Sequence, residues 1–222
     1  MGATMASVRV NLARTFAQHL LGDLESRWRH TVGVAMRAEE LGPAVPENDR
    51  EALVVAAWLH DIGYAAEVVR TGFHPLDGAA YLDGRGWPRR IVALVAHHSG
   101  SDFVADADGF AAELAVYQHE HSAVSDALTY ADQTVGPVGQ RMSIESRMAE
   151  ALIRHGPDST QARVQHLRRP YLLAAAQRVE QRLATSTAAN SDASAEATVT
   201  HATAPNTADR AESTITRCAS NP

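Results

Sequence analysis

The sequence predicts an all-α protein: one helical-bundle domain over residues 1–184, with its core at about 20–180, and a disordered polar tail over 185–222. Three observations carry this reading. Apolar residues recur at three- and four-residue spacing through most of the first 183 positions. No run of alternating β-branched residues offers a strand. From about residue 185 the chain turns to Ala, Thr, Ser and Asn, with no aromatic residue and no Leu, which leaves little to bury.

The elements follow in order. In residues 8–21, Val10, Leu12, Ala13, Phe16, Ala17, Leu20 and Leu21 recur with helical spacing, and Gly22 supplies the stop. Residues 24–41 place Leu24, Trp28, Val32 and Ala35 on one stripe, and Gly42-Pro43 terminates it. Glu47-Asn48-Asp49 offers a cap for a helix over 50–60, whose nearly continuous apolar interior demands burial. Gly63 is placed to close that helix. His74-Pro75 opens a short helix to about Leu82, and Asp83-Gly84-Arg85-Gly86 turns the chain. Pro88 then suits the first turn of a helix over 88–98. The signal over 109–117 is weaker. Residues 122–132 carry Ala123, Val124, Ala127, Leu128 and Ala131 on one face and end on Asp132. Helices over 143–154 and 159–183 complete the domain.

Composition removes several function classes. The formal charge of −6 and the 26 acidic residues argue against a general binder of nucleic acid or membrane surface. All 20 basic residues are Arg, which excludes a Walker-type phosphate loop and Schiff-base chemistry, since both need Lys. The single cysteine, Cys218, permits neither an intrachain disulfide nor a Cys-based zinc site. No Gly-x-Ser-x-Gly elbow accompanies Ser99 or Ser101, so serine hydrolysis is not indicated. No apolar run of about 18 residues suggests a membrane span, and the N-terminus lacks the pattern of a secretory signal. A cytoplasmic location is the expectation.

The chemistry is carried by histidines and aspartates at the ends or on the faces of apolar helices. His30 lies in "RWRHTVGVA", His60-Asp61 ends "AAWLHD", and His74 opens "HPLDGAAYL". His97-His98 ends "VALVAHH", and Asp132 ends "ALTYAD". Charged groups at the edge of a core are normally paired or metal-bound, because leaving them unpaired costs several kcal/mol. Imidazole and carboxylate together are the N/O donors that suit Fe, Mn, Zn, Co or Ni. His119 and His121 form a His-x-His pair, but on a helix their side chains diverge by about 200 degrees, so they are not read as a site.

The ordered set His30, His60-Asp61, Asp132, with "HDIG" at 60–63, resembles the HD-domain metal-dependent phosphohydrolases over about residues 20–180. The resemblance implies an all-α bundle with those four residues around one divalent metal. "HPLDGAAYL" and "VALVAHHSG" resemble segments of two-metal members, which implies His74 and His97 or His98, or both, at a second metal with Asp61 bridging. One or two divalent ions (Fe, Mn, Zn, Co, Ni or Mg) are therefore expected. The branch that hydrolyses symmetric dinucleoside tetraphosphates shares the His after the doublet and the His before a Gly-containing turn. Members that cleave cyclic di-GMP carry Gly-Tyr-Pro after His-His and Glu one turn before the first His; here "HHSGSDF" and Ser26 stand instead. Many members have Lys after HDIG, where this chain has Tyr64.

The resulting expectation is hydrolysis of a phosphoester or phosphoanhydride bond in a small phosphorylated substrate, a nucleotide first among them, by a metal-activated water. Asp61 orients the water, and His74 or His98 protonates the leaving oxygen. Arg141, in "ADQTVGPVGQRMS", is expected to take over the missing Lys charge, since a guanidinium grips phosphate bidentately. Thr134 and Gly136 follow Asp132 in a loop whose backbone N–H groups suit a phosphate. The alternative is a catalytically weak nucleotide-binding signalling module on the same fold. Pairing of the apolar first and last helices would give a homo-oligomer.

Overall fold

The computed structural model describes residues 5–201. Among them the chain is all-α, as the sequence predicts; the single isolated β-bridge joins Val135 to Arg141. The compact unit closes at Ser186, and the stretch from Thr187 forms a second unit.

The framework is α1 (Met5–Leu21), α2 (Glu25–Glu40), α3 (Arg50–Leu59), α4 (His74–Asp83) and α5 (Arg89–Ala96). It continues with α6 (Ser101–Asp108), α7 (Ala111–Leu114), α8 (Ala123–Gln133), α9 (Ile144–His155), α10 (Thr160–Arg163) and α11 (Gln165–His201). Helix α3 is the centre. Every side chain from Leu53 to Leu59 is buried, and the helix packs against α1, α2, α5 and α8. Each of its Leu and Val side chains contributes about 1.5–3 kcal/mol by leaving water. The end of this central helix thus delivers His60 and Asp61 into the interior, both under 4 % exposed.

Several expectations change in detail. Gly63 does not close α3 through a left-handed cap. It lies in a one-turn 3-10 helix, Ile62–Tyr64, and a Cβ there would stand 2.0 Å from the carbonyl oxygen of His74. Glycine is required by that close approach. Asp49 does not cap α3 with its side chain, which pairs instead with Arg90 at 2.6 Å. The weak signal over 109–117 shrinks to the four residues of α7, whereas the polar segment "SDFVADAD" forms α6 between left-handed Gly100 and Gly109. The helix expected over 159–183 breaks at Val164, and Pro170 withholds a donor from the early turns of α11. Helix α11 is assigned as far as His201. Residues 202–222, with Cys218, lie outside the described residues.

Candidate metal centre

Four imidazoles converge on two carboxylates at the inner ends of α3, α5 and α8. His30 comes from the middle of α2, His60 and Asp61 follow α3, His74 opens α4, His98 follows α5, and Asp132 lies in the last turn of α8. The approach of His74 is built by Asp77, one turn into α4. Its carboxylate accepts the N–H groups of Arg70, Thr71 and Gly72 at 3.0–3.2 Å, which folds the preceding loop onto the helix start.

Backbone carbonyls fix three of the rings. His60 Nδ1–H donates to Ala57 (2.8 Å), His98 Nδ1–H to Val95 (2.6 Å) and His30 Nδ1–H to Gly136 (3.1 Å). Each ring then turns the lone pair of Nε2 inward. This is the arrangement in which a carbonyl orients a metal-binding histidine. His30 Nε2 lies 3.0 Å from Asp132 Oδ1. His60 Nε2 lies 3.3 Å from Asp61 Oδ2 and is buried with no hydrogen-bond partner.

Asp61 stands between two groups of donors. Its Oδ2 faces His60 at 3.3 Å and His30 at 3.7 Å, while its Oδ1 faces His74 at 3.3 Å and His98 at 3.9 Å. His30, His60 and Asp132 can present one ligand atom each within 4.8 Å of one another, and so can Asp61, His74 and His98. Nitrogen lone pairs and carboxylate oxygens crowded into a buried space repel unless a cation lies among them. The orphaned Nε2 of His60 and the N/O donor set fit one or two divalent ions.

The electrostatics keep the donors available. Burial pushes the Asp61 carboxyl up, but Arg27 and then His60 outweigh it and hold it well below the usual carboxylate range. Burial likewise pushes the Asp132 carboxyl up, but the hydrogen bond and charge of His30 outweigh it and hold it well below the usual carboxylate range. Burial drives His74 well below the ordinary imidazole value and, with His60, lowers His98, so both stay neutral. His60 is the exception: without a metal, Asp61 outweighs the opposing effect of burial and raises it, favouring its protonated form.

A narrow cleft of about 80 Å³ opens onto this centre, lined in part by Asp61, His74, His98 and Asp132. Its wall carries four arginines: Arg27, Arg147, Arg154 and Arg168. Arg27 Nη1 meets Asp61 Oδ2 at 2.6 Å, and its guanidinium lies 3.8 Å over the ring of Tyr64. Arg147 and Arg154 share Glu150. Arg168 donates from Nε to the carbonyl of Ser99 (2.8 Å), and burial lowers its pKa.

Three residues expected at the site lie elsewhere. His97 turns away from His98, placing Nδ1 2.9 Å from Asp102 and Nε2 2.6 Å from the Tyr117 carbonyl. Arg141 is exposed and pairs with Glu40, in a separate hollow beside Arg37 and Tyr130. Thr134 donates its hydroxyl to the carbonyl of Tyr130 at 2.7 Å, spending it on its own helix end, and lines that same hollow. The charge placed beside Asp61 and Tyr64 is therefore that of Arg27. Its position three residues before His30, on the same helix face, was the signal for it. His155 is half-buried and also lines the cleft.

Ser99 is also at the centre, donating from Oγ to Asp132 Oδ2 at 2.5 Å. Among the described residues it is the one non-glycine with positive φ (φ 53°, ψ 34°). With left-handed Gly100 after it, it reverses the chain between α5 and α6. No sequence pattern announces this backbone.

An all-α bundle with buried, ordered His and Asp donors defines a helical domain whose interior could hold metal ions. The family model described as HD domain matches residues 27–149, more than half of the chain, and the chain belongs to that family. The family is, in general, one of metal-dependent phosphohydrolases acting on small phosphorylated substrates. Comparison with curated proteins and with solved structures finds no match. No helix among the described residues is long and apolar enough to cross a membrane.

Proposed function

We propose that the chain hydrolyses a phosphoester or phosphoanhydride bond of a nucleotide, using one or two divalent ions. The observation that carries the reading is Asp61, whose two oxygens face two groups of histidines beneath an arginine-lined cleft. His30, His60, Asp61 and Asp132 would hold one ion, and His74 and His98 with Asp61 a second. A bound divalent ion supplies Lewis acidity at phosphorus and lowers the pKa of water toward neutrality.

The residues do the rest. Asp61 orients the attacking water. His98 has its Nδ1–H committed to Val95, so in the one-ion form, where His74 is not engaged by metal, His74, at the cleft wall and stacked on Tyr64 at 4.1 Å, is the freer candidate to hand a proton to the leaving oxygen. Arg168 and Arg147 face the phosphoryl oxygens as charge-assisted donors. A cleft of about 80 Å³ accommodates a phosphoryl group, whereas drug-sized ligands fill roughly 300–1,000 Å³, so the nucleoside lies across the rim near Arg154 and Gln161.

The alternative is a nucleotide-binding signalling module. The Arg27–Asp61 ion pair favours it, since it ties up the carboxylate proposed to orient water. Release of p-nitrophenol from bis(p-nitrophenyl) phosphate with added Mn²⁺ separates the two. The enzyme reading expects turnover that a chelator abolishes and that Asp61→Asn removes. Nucleotide binding with no turnover in Mn²⁺, Fe²⁺ or Zn²⁺ would favour the module.

A further inference from the structure

A second His/Asp cluster lies outside the cleft. Asp102, in the first turn of α6, presents Oδ1 to Nδ1 of His97 at 2.9 Å and Oδ2 to Nδ1 of His119 at 3.3 Å. The rings of His97 and His119 stack at 4.4 Å with 14° between their planes, and the ring of His121 lies 4.3 Å from that of His119. His119 and His121 meet because the segment after α7 is not helical, so the divergence expected of a helical His-x-His does not apply.

Tautomers decide what belongs there. His97 Nε2 sits 2.6 Å from the carbonyl of Tyr117, which can only accept, so Nε2 carries the hydrogen. A neutral His97 then has a bare lone pair on Nδ1, aimed at a carboxylate oxygen. That contact repels unless a cation lies between them. His119 Nε2 is buried and has no hydrogen-bond partner. A divalent cation held by Nδ1 of His97, a carboxylate oxygen of Asp102 and Nδ1 of His119 satisfies those three donors, while Nε2 of His119 lies on the far side of its ring. Metal–donor bonds of about 2.1 Å place neighbouring donors about 3.0–3.4 Å apart, close to the 2.9 and 3.3 Å seen here. One ligand atom each from His97, Asp102 and His119 lies within 4.8 Å of the other two. The Tyr117 carbonyl orients His97 as carbonyls orient metal-binding histidines.

We propose that His97, Asp102 and His119 form an auxiliary site for a borderline divalent cation of the Zn²⁺ or Ni²⁺ class. Asp102 is 37 % and His119 18 % exposed at the side chain, so the site is open to ions from solvent. Its role is structural. It ties the irregular segment after α7 to the end of α5, and His97 is joined by one peptide bond to His98 of the cleft.

The test uses the full chain, stripped of metal and titrated with Zn²⁺, with metal counted by elemental analysis and backbone protection read by hydrogen exchange. Wild type is expected to bind one Zn²⁺ per chain more than His119→Gln, and to gain protection over residues 115–122 that the variant does not. Asp61→Asn, which removes the carboxylate shared within the other centre, is expected to keep both the extra ion and the protection. Equal counts in wild type and His119→Gln would overturn the proposal, as would no gain of protection over 115–122. Should His119→Gln fail to fold, Asp61→Asn decides alone: retained protection of 115–122 by Zn²⁺ supports the site, and its absence removes it.

Discussion

Arg27 Nη1 stands 2.6 Å from Oδ2 of Asp61, so a cation from α2 neutralises the carboxylate that both groups of histidines face. Removing one partner of a buried pair leaves the other charged and uncompensated. Arg27→Met is expected to destabilise the metal-free protein by about 3 kcal/mol. Added divalent ion, by supplying the missing charge, should recover most of that loss. Urea unfolding with and without metal checks this; an equal loss in both conditions would contradict it.

Ser99 separates a hydrogen bond from backbone strain. Ser99→Ala loses the bond to Asp132 and keeps the left-handed backbone. Ser99→Gly loses the same bond and relieves the strain. Both variants should be less stable than wild type, with the glycine variant ahead of the alanine variant by about 1 kcal/mol. Chemical unfolding of the three proteins gives the order directly.

Gly63→Ala should damage fold and centre together. The new Cβ falls 2.0 Å from the His74 carbonyl oxygen, which is backbone and cannot rotate aside. A loss of about 2–3 kcal/mol is expected, with His74 pushed from Asp61. Unfolding data combined with metal counts per chain would detect both effects, and a wild-type midpoint would refute the steric argument.

Arg168 lines the cleft with only a carbonyl acceptor for its Nε. On the phosphohydrolase reading, Arg168→Gln should raise KM roughly tenfold, the loss of one charge-assisted hydrogen bond, while kcat and metal content change little. Steady-state kinetics with a phosphodiester decides it; a fall in kcat at constant KM would give Arg168 a different role.

Arg90 joins Asp49 at 2.6 Å to Glu120 at 2.8 Å across the surface. Both carboxyls are held below their ordinary values: Asp49 by the Arg90 hydrogen bond, Glu120 by Arg90 and Ser122 against the opposing effect of burial. Depressed carboxyls contribute stability above their unfolded pKa of about 4, and that stability fades as pH falls through the folded values. Arg90→Met should therefore cost about 1 kcal/mol at pH 7, and the gap from wild type should close below about pH 4. A gap that does not shrink as pH falls below about 4 would mean Arg90 acts through packing.

The longer helices were legible because their signals are local, and six of the seven residues expected at a metal do converge, an order read partly from the family resemblance. Apolar spacing marks α2, α3 and α8, and His60-Asp61 sits where an apolar run stops. His97 was not separable from His98, because neighbours at a helix end point about 100° apart and the sequence does not say which of the two faces the centre. Arg27 was not among the expected residues and Arg141 was, because closeness in sequence to Asp132 says nothing about which way a loop carries a guanidinium. Arg147 and Arg168 reach the cleft from helices that meet it only after the bundle closes, and no spacing encodes that.

The carbonyls that hold His60 and His98 belong to Ala57 and Val95, each three residues earlier in the same chain segment. The aim of these two imidazoles is thus carried within four consecutive residues. Loops between the segments can lengthen or shorten across descendants of this chain without re-aiming either ring. His30 differs, since its carbonyl comes from Gly136, 106 positions away. Indels near that loop are where drift in this architecture would first register.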